Sequence, residues 1–140
     1  MISLDFITLK AFFEENKEFF CGARVQKIQQ PTRRDFVLSI RGKQETRKLY
    51  INIDPQVYHL CFINEETAKK RHITIPQKPP MFCMLLRKHL EGFRITRVNV
   101  PPYERIFEIF FESYNELNEK INLCLAIELM GKYSNVILYN

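Results

Sequence analysis

Glycine is scarce in this chain, with four in 140 residues at positions 22, 42, 92 and 131. Glycines so far apart cannot build a phosphate-cradling loop. Tryptophan is absent, and no apolar run exceeds the six residues 81–86, too short for a membrane-spanning helix. The four cysteines, Cys21, Cys61, Cys83 and Cys124, form no Cys-x-x-Cys pair, which argues against zinc. Their apolar neighbours predict buried, reduced thiols. His59, His72 and His89 are scattered and make no His-Glu-x-x-His pair, so no metal is expected. No basic segment precedes an apolar stretch at the N-terminus, so no secretory signal is read and a cytoplasmic protein is expected.

What is present is an ordinary globular composition, 46% hydrophobic and 26% charged, in a chain long enough to bury its own core. The net charge of +5 is unevenly spread. Residues 1–20 carry −2, residues 21–100 carry +10 and residues 101–140 carry −3. A cationic middle segment suits a polyanion such as nucleic acid. A solvated Lys/Arg surface without a partner has the same composition, and charge alone leaves both readings open.

Periodicity predicts a helix over residues 3–20, capped by Ser3 or Asp5 and closed at Gly22. Strands are expected over 23–30, stopped by Pro31, then over 35–41, 47–53 and 57–63. The polar, proline-punctuated stretch 64–80 reads as a long loop. A second helix spans 81–91, with Phe82, Leu85, Leu86 and His89 or Leu90 facing inward. Strands follow over 93–100, 105–112, 120–130 and 134–139. Alternation is clearest in the third of these, where Ile121, Leu123, Leu125, Ile127 and Leu129 share one face. The order of elements predicts an α+β domain, an antiparallel β-sandwich with two flanking helices.

No arrangement of side chains reads as a catalytic site. Cys83 and His89 lie about two turns apart on different faces of one helix, so they should not meet. Glu108 and Glu112 share a strand face, but nothing marks them as acid and base. The expectation is a protein that is not an enzyme and needs no cofactor.

Several segments resemble one family in sequence order. Residues 79–92 read Pro-Pro-Met-Phe-Cys-Met-Leu-Leu-Arg-Lys-His-Leu-Glu-Gly, and residues 22–31 read Gly-Ala-Arg-Val-Gln-Lys-Ile-Gln-Gln-Pro. Glu104-Arg105-Ile106 stands where the family has an Asp-Arg-hydrophobic motif. Residues 127–136, Ile-Glu-Leu-Met-Gly-Lys-Tyr-Ser-Asn-Val, resemble its closing signature. The family is the NFACT proteins, known in bacteria as RqcH and historically as fibronectin-binding protein A-like. Its members are much longer, so these residues resemble their N-terminal domain and suggest a fragment of a longer chain.

The resemblance implies a sandwich similar to the N-terminal domain of formamidopyrimidine-DNA glycosylases. It also implies a role in ribosome-associated quality control. There the family binds large ribosomal subunits stalled with peptidyl-tRNA and recruits alanyl-tRNA for untemplated tailing of the nascent chain. By position, tRNA contacts would fall on Glu104, Arg105, Glu128, Leu129 and Met130, with Arg87 and Lys88 as a further basic surface. Glu104 replaces the family's Asp and moves the carboxylate outward by about 1.5 Å, which puts tRNA preference in question. Glycosylase chemistry is not expected, because Ile2 and Ser3 follow Met1 where those enzymes expose a proline amine. The adhesin reading behind the older name, with fibronectin as partner, is the alternative, together with an inactive glycosylase-like domain that binds nucleic acid.

Overall fold

The computed structural model describes residues 5–71 and 73–139, apart from the side chain of Tyr133. Ser3, Ile2 and His72 lie outside the described residues. Asp5 accepts from the backbone N–H of Thr8 at 2.7 Å and caps α1 (Phe6–Phe20). That bond satisfies one of the donors a helix start leaves unpaired, and holds the Asp5 carboxyl below its ordinary range. Gly22, at φ 82°, turns the chain out of the helix in the left-handed region that favours glycine.

Two antiparallel meanders follow. The first comprises β1 (Arg24–Thr32), β2 (Asp35–Arg41), β3 (Thr46–Asn52) and β4 (His59–Ile63). After α2 (Glu65–Lys70) and α3 (Met81–Leu90), the second comprises β5 (Arg94–Asn99), β6 (Ile106–Tyr114), β7 (Lys120–Glu128) and β8 (Asn135–Tyr139). The sandwich expectation is corrected in one respect. The strands form one eight-stranded antiparallel sheet, in the order β4-β3-β2-β1-β5-β6-β7-β8. The two meanders are its halves, joined at β1 and β5 through the pair Arg24 and Arg94. Period-2 alternation sets which face of a strand points inward, but not which strand lies beside it.

The inward faces of both halves share one core. Phe20 of α1, fully buried, lies 5.7 Å from the ring of Phe62 on β4 and 5.5 Å from that of Phe107 on β6. Pro31 does not end β1; it falls where the register against β2 shifts between Gln29 and Thr32. An irregularity of that kind tolerates the missing N–H.

Helix α3 completes the sheet where β1 and β5 part. Ile28 on β1 donates its N–H to Glu91 Oε2 at 2.9 Å, and its carbonyl accepts from Arg87 Nε at 2.8 Å. Side chains from α3 thus pair backbone groups at the level where β1 has left β5. Arg87 is therefore a structural residue, whereas Lys88 is exposed. The inward stripe of α3 is Cys83, Leu86 and Leu90; Phe82 and His89 are half-buried, and Leu85 faces out. The thiol expectation needs the same adjustment. Cys83 and Cys124 are buried, Cys61 is half-buried and Cys21 is exposed, all four free.

The stretch 64–80 is not all loop. Asn64 caps α2 by accepting from Thr67 N at 2.8 Å. Ala68 and Ile73 pack with Cys61 over a second apolar cluster on the outer face, formed by Val37, Tyr50 and Ile63. Arg71, just past α2, donates to His59 Nε2. A guanidinium has no acceptor, so Nδ1 carries the imidazole proton and donates to Val57 O at 2.6 Å. Burial pushes the His59 imidazole below its ordinary 6.5, and the Arg71 charge adds to this against the opposing Val57 bond.

The folded protein therefore resists a proton that the unfolded chain accepts. Stability is expected to be level above pH 6.5 and to fall as pH drops below it. Urea denaturation at about pH 7.5 and about pH 5.5 should show a smaller difference for His59→Gln than for wild type.

Candidate nucleic-acid interface

Glu104, Arg105, Glu128, Leu129 and Met130 come together at one rim of the sheet, whereas Arg87 and Lys88 sit in the last turn of α3. Between β5 and β6 the chain turns through Pro101-Pro102-Tyr103-Glu104, closed by Glu104 N–H donating to Pro101 O at 3.1 Å. Tyr103 sits at φ 64°, where a bulky side chain is strained by roughly 1 kcal/mol or more. That conformation leaves its ring 89% exposed, 5.6 Å from the ring of Phe6 at the start of α1. Glu104 is exposed as well.

Arg105 is half-buried immediately before β6. Its carbonyl accepts from Leu129 N–H at 2.9 Å, extending the β6–β7 ladder beyond the Ile106–Glu128 pair. Its guanidinium donates to the hydroxyl of Tyr58 at 3.0 Å, with its centre 5.8 Å from that ring. Tyr58, just ahead of β4, is 8% exposed and belongs to the shared core. The first half of the sheet thus braces a cation carried by the second half. No motif marks Tyr58, which the sequence reading takes into the strand expected over 57–63, whereas β4 begins at His59.

Glu128 and Met130 are half-buried on the same rim. Met130 N–H donates to Ser134 Oγ at 3.1 Å, which ties it to the 3-10 turn Gly131–Tyr133. Leu129 belongs to the site by position only. Its side chain is fully buried, so it acts by packing and by its backbone bond to Arg105. Tyr103 and Phe6 are rim residues that sequence reasoning passed over. The signal was an aromatic after a Pro-Pro turn, directly before the charged pair.

A braced guanidinium can fork onto phosphate or stack on a base, and an exposed aromatic ring offers a stacking platform. Among the described residues, no three His, Cys, Asp or Glu side chains converge as a metal-ligand group. Glu112 is engaged by Lys120 at 2.8 Å and Arg94 at 3.5 Å, and Glu108 accepts from Asn99 at 3.0 Å, so both carboxylates have ordinary surface roles.

Fold and rim together define an α+β domain with an eight-stranded antiparallel sheet and a cation held at its edge. Residues 5–140 match the family model for NFACT N-terminal and middle domains, and the chain belongs to that family. It is 34% identical over 137 residues to the Rqc2 homolog RqcH of Bacillus subtilis, covering 98% of this chain and 23% of that protein. The Rqc2 homolog RqcH of Streptococcus pneumoniae D39 is 32% identical, with 98% and 24% covered. The chain therefore spans about a quarter of the length of these relatives.

Among solved structures, the N-terminal domain of the fibronectin-binding protein PavA from Streptococcus pneumoniae superposes with a TM-score of 0.87 at 31% identity, covering 97% of this chain and 49% of that one. The N-terminal part of the fibronectin/fibrinogen-binding protein from Streptococcus suis gives 0.88 at 30%, covering 99% and 49%.

Proposed function

We propose that this domain is a tRNA-binding module of a cytoplasmic ribosome quality control factor, and not itself an enzyme. In this reading the whole protein binds large ribosomal subunits stalled with peptidyl-tRNA. It recruits alanyl-tRNA for untemplated tailing of the trapped chain, and the rim described above touches the tRNA. The observation that carries the reading is Arg105, held at the rim by Tyr58, two residues along the chain from the exposed Tyr103. Membership of a family whose relatives are named Rqc2 homolog RqcH supports it. Glu104, Glu128 and Met130 would flank the RNA. The similarity to the glycosylase N-terminal sandwich belongs to the same reading, as a nucleic-acid-binding scaffold without the glycosylase's chemistry.

The test is tRNA binding by the full-length protein across a salt series. Arg105→Ala is expected to weaken binding and to flatten the slope of log affinity against log salt by about one, as loss of one phosphate contact requires. Unchanged affinity and slope would remove Arg105 from the interface.

A second reading rests on the names of the solved neighbours, which are fibronectin- and fibrinogen-binding proteins. It predicts the protein on intact cell surfaces and a direct complex with fibronectin that Arg105→Ala leaves intact.

A further inference from the structure

The seam between the two halves of the sheet carries an unusual row of charge. Arg24 on β1 stands opposite Arg94 on β5, and on its other side opposite Arg41 on β2. Val25 N–H donates to Phe93 O and Ile95 N–H donates to Ala23 O, so ladder bonds flank the Arg24–Arg94 pair on both sides. That makes it a non-hydrogen-bonded pair, the kind in which facing side chains stand closest. The next outward row holds Lys27 and Lys48 on either side of Ser39. Arg24, Lys27, Arg41 and Arg94 are exposed and Lys48 is half-buried.

Like charges directly opposite one another cost a sheet stability. Local relief is thin. Arg24 donates to Gly92 O, Arg41 lies 3.4 Å from the Thr46 hydroxyl, and Arg94 shares the carboxylate of Glu112 with Lys120. Further along the same outer face, α2 and Ile73 cover Val37, Tyr50 and Ile63. The row Arg41–Arg24–Arg94 has no such cover and is open, and Lys27 extends it outward, while Ser39 is buried and Lys48 half-buried beside the covered Ile63.

We propose that this seam is a second RNA-contact surface, which grips backbone phosphates without reading bases. Its choice of polyanion rests on the RNA reading given above. Guanidinium forks match phosphate oxygens two at a time, and cations set in rows suit a polymer of regularly spaced charge. The seam is distinct from the Arg105 rim. Seven positions along β6 separate Arg105 from Glu112, a run of about 23 Å at strand rise. A folded RNA held at both places would be fixed in orientation, with a phosphate on Arg105 and bases on the aromatic rings at the rim, and phosphates alone at the seam.

The experiment compares the full-length protein with three variants: the Arg24→Gln/Arg94→Gln double, the Arg24→Lys/Arg94→Lys double, and Arg105→Ala. Binding of a fluorescent tRNA transcript and of a poly(U) strand is followed by anisotropy across a salt series. The glutamine pair is expected to weaken both RNAs alike, by roughly tenfold near 0.1 M salt, with a salt slope shallower by about one to two. Its melting temperature should equal or exceed wild type, because a repulsion is removed. The lysine pair, which keeps the charge, should keep most of the slope.

Unchanged affinity and slope in the glutamine pair overturn the seam while leaving the rim reading to stand on Arg105→Ala. A lysine pair whose salt slope is as shallow as that of the glutamine pair also overturns it. Loss in the glutamine pair with Arg105→Ala unaffected supports the seam and removes the rim. A wild-type protein that binds neither RNA removes both.

Discussion

Replacing Phe20 with alanine is expected to destabilise the protein by about 3–5 kcal/mol. The ring is fully buried and touches aromatic groups from three places: Phe12 in its own helix, Phe62 on β4 and Phe107 on β6. β4 and β6 lie in opposite halves of the sheet, so the cavity would open where the halves meet over α1. Rigid strands on both sides limit collapse into that space, which puts the cost in the range of full aromatic deletions. Typical domains have only about 5–15 kcal/mol to lose. Chemical denaturation should show the midpoint falling sharply, and thermal melting should drop by about 10–20 °C. Phe62→Ala should cost less, because that ring is only half-buried. A loss below about 1 kcal/mol for Phe20→Ala would mean that α1 is not the element joining the two halves. The change should also reach the rim, since α1 begins with Asp5 and Phe6 and the Phe6 ring lies against Tyr103.

The strands were the most legible part of the fold, and the reason is physical. β2 was bounded correctly at both ends because Phe36, Leu38 and Ile40 alternate cleanly and a Gly-containing turn follows. Each of the other strands was located to within about two residues, the usual uncertainty of an element's end. Their neighbours were not legible. The Arg24–Arg94 junction depends on two segments about seventy residues apart, and no local pattern records that meeting. α2 escaped because six residues containing only Ala68 as an apolar anchor show no period. The stripe expected for α3, with Phe82 and Leu85, lies partly off its true face. In a ten-residue helix several apolar stripes compete, and the backbone of Ile28 decides between them by binding Arg87 and Glu91.

The candidate site divides along similar lines. Glu104, Arg105, Glu128, Leu129 and Met130 came from motif resemblance, and the β6–β7 ladder brings those positions to one rim. What the motif could not supply was the direction of each side chain. Leu129 turns wholly inward, and Arg105 leans on Tyr58 from the other half of the sheet. Positive charge was legible as a total over residues 21–100, but its use was not. Arg87 holds the helix to β1, whereas Arg24 and Arg41 face each other across β1 and β2, and Arg94 joins them only because the two halves meet there.

Replacing Asp35 with alanine is expected to cost about 3 kcal/mol, by a route unlike that of Phe20. Asp35 is 7% exposed at the start of β2, yet it accepts three hydrogen bonds. Oδ1 takes Thr32 N–H at 2.7 Å and the Thr32 hydroxyl at 2.6 Å, closing the β1–β2 turn. Oδ2 takes the Tyr50 hydroxyl at 2.9 Å. Burial and this carboxylate both push the Tyr50 phenol well above its ordinary value, so it stays protonated and goes on donating. Truncation would strand the Tyr50 hydroxyl in an enclosed space, where an unpaired buried donor costs about 1–3 kcal/mol, and would release the Thr32 turn, whose exposed donors can turn to water and so add only about 1 kcal/mol. Tyr50→Phe removes the opposite partner and leaves Asp35 with both Thr32 donors, so it should cost only about 1 kcal/mol. The ordering separates this account from one based on packing. If the tyrosine ring under α2 were the source of stability, Asp35→Ala would be mild and Tyr50→Ala severe. Equilibrium unfolding of Asp35→Ala, Tyr50→Phe and the double variant would decide between them. The double should cost less than the sum of the singles, because the hydroxyl that Asp35→Ala leaves unpaired is no longer present.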